Sequence, residues 1–287
     1  MLIHKIRPQG YCKGVVNALN KTLLIRKENP QEDIYLLNML VHNKQVMDYL
    51  LSLGIKLING DKIQALSNIH KGIIITSAHG TPSHILDYIK ERKLTLIDTT
   101  CYHVQANMDI IINKLKEKKI IYLGVKGHPE AEATLSISDN IFLIENIKDL
   151  EKLNKEINYA FISQTTISLL QIKEITNYIT NNFKNVEIIN GQCQATYLRQ
   201  KAVLDIKEEY DLIIVVGDEN SSNGLKLFQL AKNKGNAIYI SSYKQLNETI
   251  KTLNKIAITS AASTPAYLVE QVINYLKGEE IKELNLI

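Results

Sequence analysis

The chain has 287 residues, 45% of them hydrophobic and 22% charged, with a formal net charge of +4, which is an ordinary globular composition whose length alone predicts about two domains. The charge is small and dispersed, and the densest basic run, Lys114 to Lys119, is interrupted by Glu117 and falls at an expected helix end, so no nucleic-acid surface is expected. No apolar run approaches the ~18 residues that span a bilayer and no signal peptide is apparent, so the expected location is cytoplasmic, without membrane binding.

Three cysteines, Cys12, Cys101 and Cys193, organise the reading in chain order. Cys101 lies 89 residues after Cys12 and Cys193 lies 92 after Cys101, intervals similar enough to mark an internal repeat. Each cysteine follows a short strand-like run: Leu2-Ile-His-Lys-Ile6, Leu94-Thr-Leu-Ile-Asp98 and Val186-Glu-Ile-Ile-Asn190. Each also opens a segment with helical apolar spacing, carried by Val15, Val16, Leu19 and Leu23, then by Val104, Met108, Ile111, Ile112 and Leu115, then by Leu198, Ala202, Val203 and Ile206.

Within each repeat a second strand is expected to end in a polar cluster. These are Val41-His42-Asn43, Gly127-His128-Pro129-Glu130 and Asn220-Ser221-Ser222-Asn223. The middle one follows the apolar run Ile120 to Val125, and Pro129 suits the first position of a helix. A later strand ends in Ser77-Ala-His79, Ser163-Gln-Thr165 or Ser260-Ala-Ala-Ser263, and a further helix closes each repeat.

Alternating strands and helices predict an α/β protein of three similar parallel-sheet domains. The expected boundaries are 1–97, 98–190 and 191–287. Facing one another about a pseudo-threefold axis, such domains form a trefoil whose central cavity gathers the three cysteines and the polar strand ends.

An odd number of cysteines without a CxxC pair argues against a disulfide framework. Spacing alone leaves three readings open: buried structural thiols, a zinc site with an open position, and a cubane iron–sulfur cluster with one iron lacking a protein ligand. His128 and Glu130 form a possible proton-handling pair, against the alternative of a solvated turn. His42, His79, Ser221, Ser222, Asn223 and Ser263 supply donors at strand-to-helix junctions, where phosphates bind and where Ser and Asn also serve as simple caps. His4, His70, His84 and His103 are assigned to the surface or to packing.

Collected in order, the motifs PQGYCKGV (8–15), VHN (41–43), SAHG (77–80), TTC (99–101), GHPEAEAT (127–134), SQTT (163–166), CQAT (193–196), NSSN (220–223) and AAST (261–264) resemble those of the 4-hydroxy-3-methylbut-2-enyl diphosphate reductase, or LytB, family over nearly the whole chain. The resemblance implies a trefoil around a [4Fe-4S] cluster held by Cys12, Cys101 and Cys193. It implies reductive removal of the hydroxyl of an allylic diphosphate with two electrons and two protons, giving isopentenyl and dimethylallyl diphosphate, with ferredoxin or flavodoxin as electron donor. It further implies Glu130 as proton donor, its pKa raised by burial, Thr165 as relay, and His128 as a holder of the diphosphate and its proton network. His42, His79, Ser221, Ser222, Asn223 and Ser263 match the diphosphate-binding set.

The chain departs from the family's usual pattern at Gln9, Tyr11 and Lys13, at Tyr102-His103, and at Asp218-Glu219, where Ser-Lys is common. The two carboxylates beside an anion site are expected to face solvent. A cluster-free phosphometabolite-binding protein of the same fold and a zinc hydrolase are the alternatives.

Overall fold

The computed structural model describes residues 1–282, so the end of the third expected domain, 283–287, lies outside the described residues. In chain order the elements are β1 (Leu2–Lys5), α1 (Lys13–Glu28), β2 (Ile34–Leu36), α2 (Lys44–Ser52), β3 (Lys56–Leu57), α3 (Lys62–Ser67), β4 (Ile73–Ile75), α4 (Ser83–Glu91) and β5 (Thr95–Ile97). They continue with α5 (Tyr102–Lys114), β6 (Lys119–Leu123), α6 (Pro129–Leu135), β7 (Ile141–Ile144), α7 (Ile147–Leu150), β8 (Tyr159–Ser163), α8 (Leu169–Asn182) and β9 (Val186–Ile188). Last come α9 (Gln194–Leu204), β10 (Leu212–Val216), α10 (Ser222–Lys232), β11 (Ala237–Ile240), two 3-10 turns, β12 (Lys255–Ser260) and α11 (Ala266–Lys277).

These strands make three four-stranded sheets, with orders β3-β2-β4-β5, β7-β6-β8-β9 and β11-β10-β12-β1. Every ladder is parallel. All three share the order second, first, third, fourth, and in each the fourth, edge strand leads into a cysteine. In such a sheet the order reverses between the first and third strands, and the crevice beyond their C-terminal ends is where ligands bind in open α/β folds. The polar clusters follow those strands.

One expectation is corrected here. The boundaries 1–97, 98–190 and 191–287 group β1 with the first sheet, but β1 pairs with β12, with Leu2 opposite Lys255 and Lys5 opposite Ile258. The physical reason is that β5 already closes the first sheet beside β4, while β12 has an open edge that β1 satisfies. A second difference is that β2 ends at Leu36, so His42 sits in an irregular segment several residues beyond the strand.

The chain divides into two compact units: Met1–Val15, Val41–Tyr49 and the described residues from Cys193, and Val16–Leu40 with Leu50–Gln192. In the first unit the period-2 geometry of β10 sends Leu212, Ile214 and Val216 to one face, packed with Leu268, Val269, Val272 and Ile273 of α11. Ile213 and Val215 go to the other, against Val203 of α9 and Leu227 and Leu230 of α10. The second unit repeats this layering. Ile121 and Leu123 of β6 pack with Ile175 and Ile179 of α8, and Ile120 and Tyr122 pack with Ile111 of α5 and Ala131 of α6. Sheets covered on both faces explain the uninterrupted apolar runs LIIVV in β10 and IIYL in β6.

Candidate active site

In the second unit, the chemistry gathers beyond the ends of β6 and β8. Gly127 takes a positive φ of 78°, which turns the chain into α6. His128 caps that helix, its Nδ1 accepting the Glu130 N–H at 3.1 Å, and Pro129 occupies the first helical position, where no N–H is needed. Glu130 lies in the first turn, where a carboxylate suits the helix dipole. Its side chain reaches across to the β8 end: Oε1 accepts the Thr165 N–H at 2.8 Å and Oε2 accepts the Thr165 hydroxyl at 2.7 Å. Gln164 fixes the two strand ends together, its N–H donating to Leu123 O and its Oε1 accepting from the Val125 N–H.

Glu130 is only 2% exposed. Burial pushes its carboxyl up to about 7, against the two hydrogen bonds from Thr165 that favour the charged form. A carboxyl half protonated near neutrality can both give and take a proton. His79, in the loop after β4, sets its ring edge-on to His128 with centroids 5.5 Å apart. The neighbouring Gly80 has a φ of 88°, and a Cβ there would stand 2.9 Å from Met108 Cε and 3.3 Å from Ala133 Cβ, so α5 and α6 approach at a point only glycine fills.

In the first unit the equivalent strand ends, β10 and β12, carry a hydroxyl network. Ser221 caps α10 by accepting the Gly224 N–H, and its hydroxyl meets that of Ser263 at 3.3 Å. Ser263 in turn donates to the carbonyl of His42 at 3.0 Å. Asn223 is braced at both ends of its amide: Oδ1 accepts the Ala262 N–H, and Nδ2 donates to Thr196 Oγ1, which also contacts Cys193 Sγ. Ser222 is the first residue of α10. Of the expected anion-binding residues, His42, Ser221, Asn223 and Ser263 are thus brought together with Ser222 in one unit, and His79 with His128 in the other.

Asp218 corrects the expectation that both extra carboxylates face solvent. Glu219 is exposed, but Asp218 is 5% exposed. Its Oδ2 accepts the Lys44 N–H at 2.8 Å, the first residue of α2, and its Oδ1 accepts from Asn220 N and Nδ2. An open helix N-terminus needs acceptors, and a carboxylate meets that need well. This end of α2 is therefore filled from within the chain. Burial pushes the His42 imidazole down, and the Asp218 charge pulls it back up.

Cys12, Cys101 and Cys193 form no disulfide and are of intermediate exposure. Cys101 and Cys193 are the N-cap residues of α5 and α9, and Cys12 immediately precedes α1, its N–H donating to Ala262 O. Cys12 and Cys193 belong to the first unit and Cys101 to the second. Among the described residues no three His, Cys, Asp or Glu side chains are drawn together as around a metal ion. The donor chemistry still suits an anionic metal–sulfur group: unoxidised thiols at helix starts, whose partial positive charge complements thiolates. Sequence reasoning missed Arg199, buried on α9 among residues that read as an ordinary polar face.

One more sequence assignment agrees with the structure. His4, His70 and His84 are exposed, and His103 is half-buried. Among the described residues no helix is long and apolar enough to cross a membrane.

A buried carboxyl raised toward neutrality lies at the strand ends of a parallel sheet layered on both faces, the place where enzymes of the α/β class carry their chemistry. The chain belongs to the LytB family, whose profile, "LytB protein", matches residues 3–277. It is 38% identical to the 4-hydroxy-3-methylbut-2-enyl diphosphate reductase of Malacoplasma penetrans, over 96% of this chain and 97% of that one. It is 36% identical to the enzyme of the same name from Macrococcus caseolyticus, over 97% and 89%. Among solved structures it is similar to the E-1-hydroxy-2-methyl-but-2-enyl-4-diphosphate reductase of Plasmodium falciparum, with a TM-score of 0.89, 30% identity and coverage of 99% and 95%.

Proposed function

We propose that the chain is a 4-hydroxy-3-methylbut-2-enyl diphosphate reductase, the terminal enzyme of the non-mevalonate pathway, with a [4Fe-4S] cluster held by Cys12, Cys101 and Cys193. Family membership supports the activity. The single structural observation that carries the reading is the buried Glu130–Thr165 pair, with a carboxyl near 7 at a strand-order reversal.

When bound, the cluster supplies electrons and, at its iron without a protein ligand, a Lewis acid for the substrate's oxygen. The chain's own residues manage binding and protons. Ser221, Ser222, Asn223, Ser263, His42 and His79 donate to the diphosphate, Ser221 and Ser263 turning hydroxyls that otherwise meet each other. Glu130 delivers a proton to the departing hydroxyl through the Thr165 hydroxyl, and His128 holds the diphosphate and its proton network. Loss of water and protonation of the allylic fragment consume two protons and two electrons, and the products are isopentenyl and dimethylallyl diphosphate. A ferredoxin or flavodoxin is the proposed electron source.

The test is iron and acid-labile sulfide per chain in protein prepared without oxygen, followed by turnover of the allylic diphosphate. About four of each per chain with turnover is expected. A folded protein that takes up no iron after reconstitution would be a phosphometabolite-binding member of the family, and the proposal would fall.

A further inference from the structure

Arg199 is a buried cation for which the described residues provide no carboxylate. It lies on α9 and is 3% exposed. Its Nη2 donates to Gly10 O at 2.6 Å and its Nη1 to Ala195 O at 3.1 Å, while Nε is buried without a partner among the described residues. It takes part in none of the ion pairs among those residues. Backbone carbonyls solvate a guanidinium but do not neutralise it, and a charge kept in a protein interior calls for an opposite one. The neighbours that favour its charge, against burial, are the sulfurs of Cys12 and Cys193.

The local structure makes this placement specific. Gly10 has a φ of 77°, and a Cβ there would stand 3.3 Å from Ala266 Cβ. Its N–H donates to Ser260 Oγ, so the carbonyl that receives Arg199 is fixed in direction. Two residues on, the Cys12 N–H is held by Ala262 O. Arg199 therefore ties the Cys12 loop to the helix that Cys193 caps, with its charge in electrostatic reach of both sulfurs.

We infer that Arg199 is the built-in counter-cation of the Cys12 and Cys193 thiolates and of the metal–sulfur group they hold, a positioning residue that favours the more negative, reduced form of that group. The inference rests on the proposed ligand role of these cysteines. Adding an electron to the group adds a negative charge, and a fixed cation in a low-dielectric setting stabilises that state more than the oxidised one.

The experiment is a dithionite titration of anaerobically reconstituted wild type, Arg199→Gln and Arg199→Lys, with the midpoint potential read by absorbance and electron paramagnetic resonance. Iron and sulfide counts and circular dichroism accompany each sample. Arg199→Gln is expected to move the one-electron equilibrium about tenfold toward the oxidised form, a midpoint about 59 mV lower. Arg199→Lys, which keeps the charge and loses the forked contact, is expected to stay within about threefold of wild type. A fully loaded Arg199→Gln protein with the wild-type midpoint overturns the inference and leaves the reductase reading standing. If Arg199→Gln does not fold, Arg199→Lys decides: a tenfold displacement in that variant shows a purely structural tie and overturns the inference. Wild type without iron overturns the reductase reading and this inference together.

Discussion

Replacing Glu130 by Gln removes the titrating group while keeping the shape of its hydrogen bonds. The amide oxygen still accepts the Thr165 N–H, and the amide nitrogen donates to Thr165 Oγ1, reversing a bond in which the hydroxyl is now the donor. In the wild type the carboxyl rises from its ordinary 4.5 to about 7 on folding. The folded state therefore holds the proton more tightly, so the stability it confers is complete below about 4.5 and is lost as the pH rises through about 7. At 1.36 kcal/mol per pH unit the full loss is about 3 kcal/mol, most of which, about 2–3 kcal/mol, falls between pH 5 and 8. Urea unfolding of both proteins at those two pH values is the assay. Glu130→Gln is expected to gain about 2 kcal/mol on the wild type between pH 5 and pH 8, and its turnover to fall at least about a hundredfold with iron and sulfide content unchanged. A stability difference that does not change with pH would show that Glu130 is not held near neutrality, and the proton-delivery role would lose its basis.

Thr165→Val removes the hydroxyl bond that favours ionised Glu130, so the alkaline limb of the kcat–pH profile should move to higher pH; a limb that stays in place or moves down refutes the pairing. Ser263→Ala interrupts the chain of hydroxyls from Ser221 to the His42 carbonyl, and calorimetry should show inorganic pyrophosphate binding weakened about tenfold, the worth of one hydrogen bond to a charged group. Gly80→Ala meets both a φ of 88° and the Met108 side chain at 2.9 Å, and should lower stability by about 2–3 kcal/mol in urea. Tyr11→Phe removes a hydroxyl that is buried without a partner among the described residues, so its urea midpoint should rise by the equivalent of about 1 kcal/mol; a fall would mean that the hydroxyl has a role.

Much of this architecture is legible from local sequence. Apolar runs such as Leu212 to Val216 end in hydroxyl, amide or imidazole residues at similar offsets from each cysteine, because the first and third strands of each sheet must both finish at the crevice. Glu130 and Thr165 meet for the same reason, although 35 residues separate them. What local sequence does not carry is pairing at long range. Nothing within LIHK names Lys255 to Ile258 as its partners. Asp218 reads as a surface charge because the N–H it caps belongs to Lys44, 174 residues away. Arg199 is hidden likewise, since its acceptor is the carbonyl of Gly10.

The pairing of β1 with β12 sets an order of events during synthesis. A ribosome releases Cys12 early, yet the groups that fix its loop, the carbonyls of Ile258 and Ala262 and the Ser260 hydroxyl, emerge about 250 residues later. Translation at 5–20 residues per second places that interval at roughly ten seconds to a minute. Sheets closed by β5 and β9 have no such wait, because their edge strands follow directly on the rest. Throughout that interval the first thiol travels on a segment without its strand partner, open to oxidation and to the wrong metal. A cell making this protein would therefore benefit from delaying cluster delivery until the last strand is in place, and nascent chains stalled before Lys255 should leave Cys12 the most readily alkylated of the three cysteines.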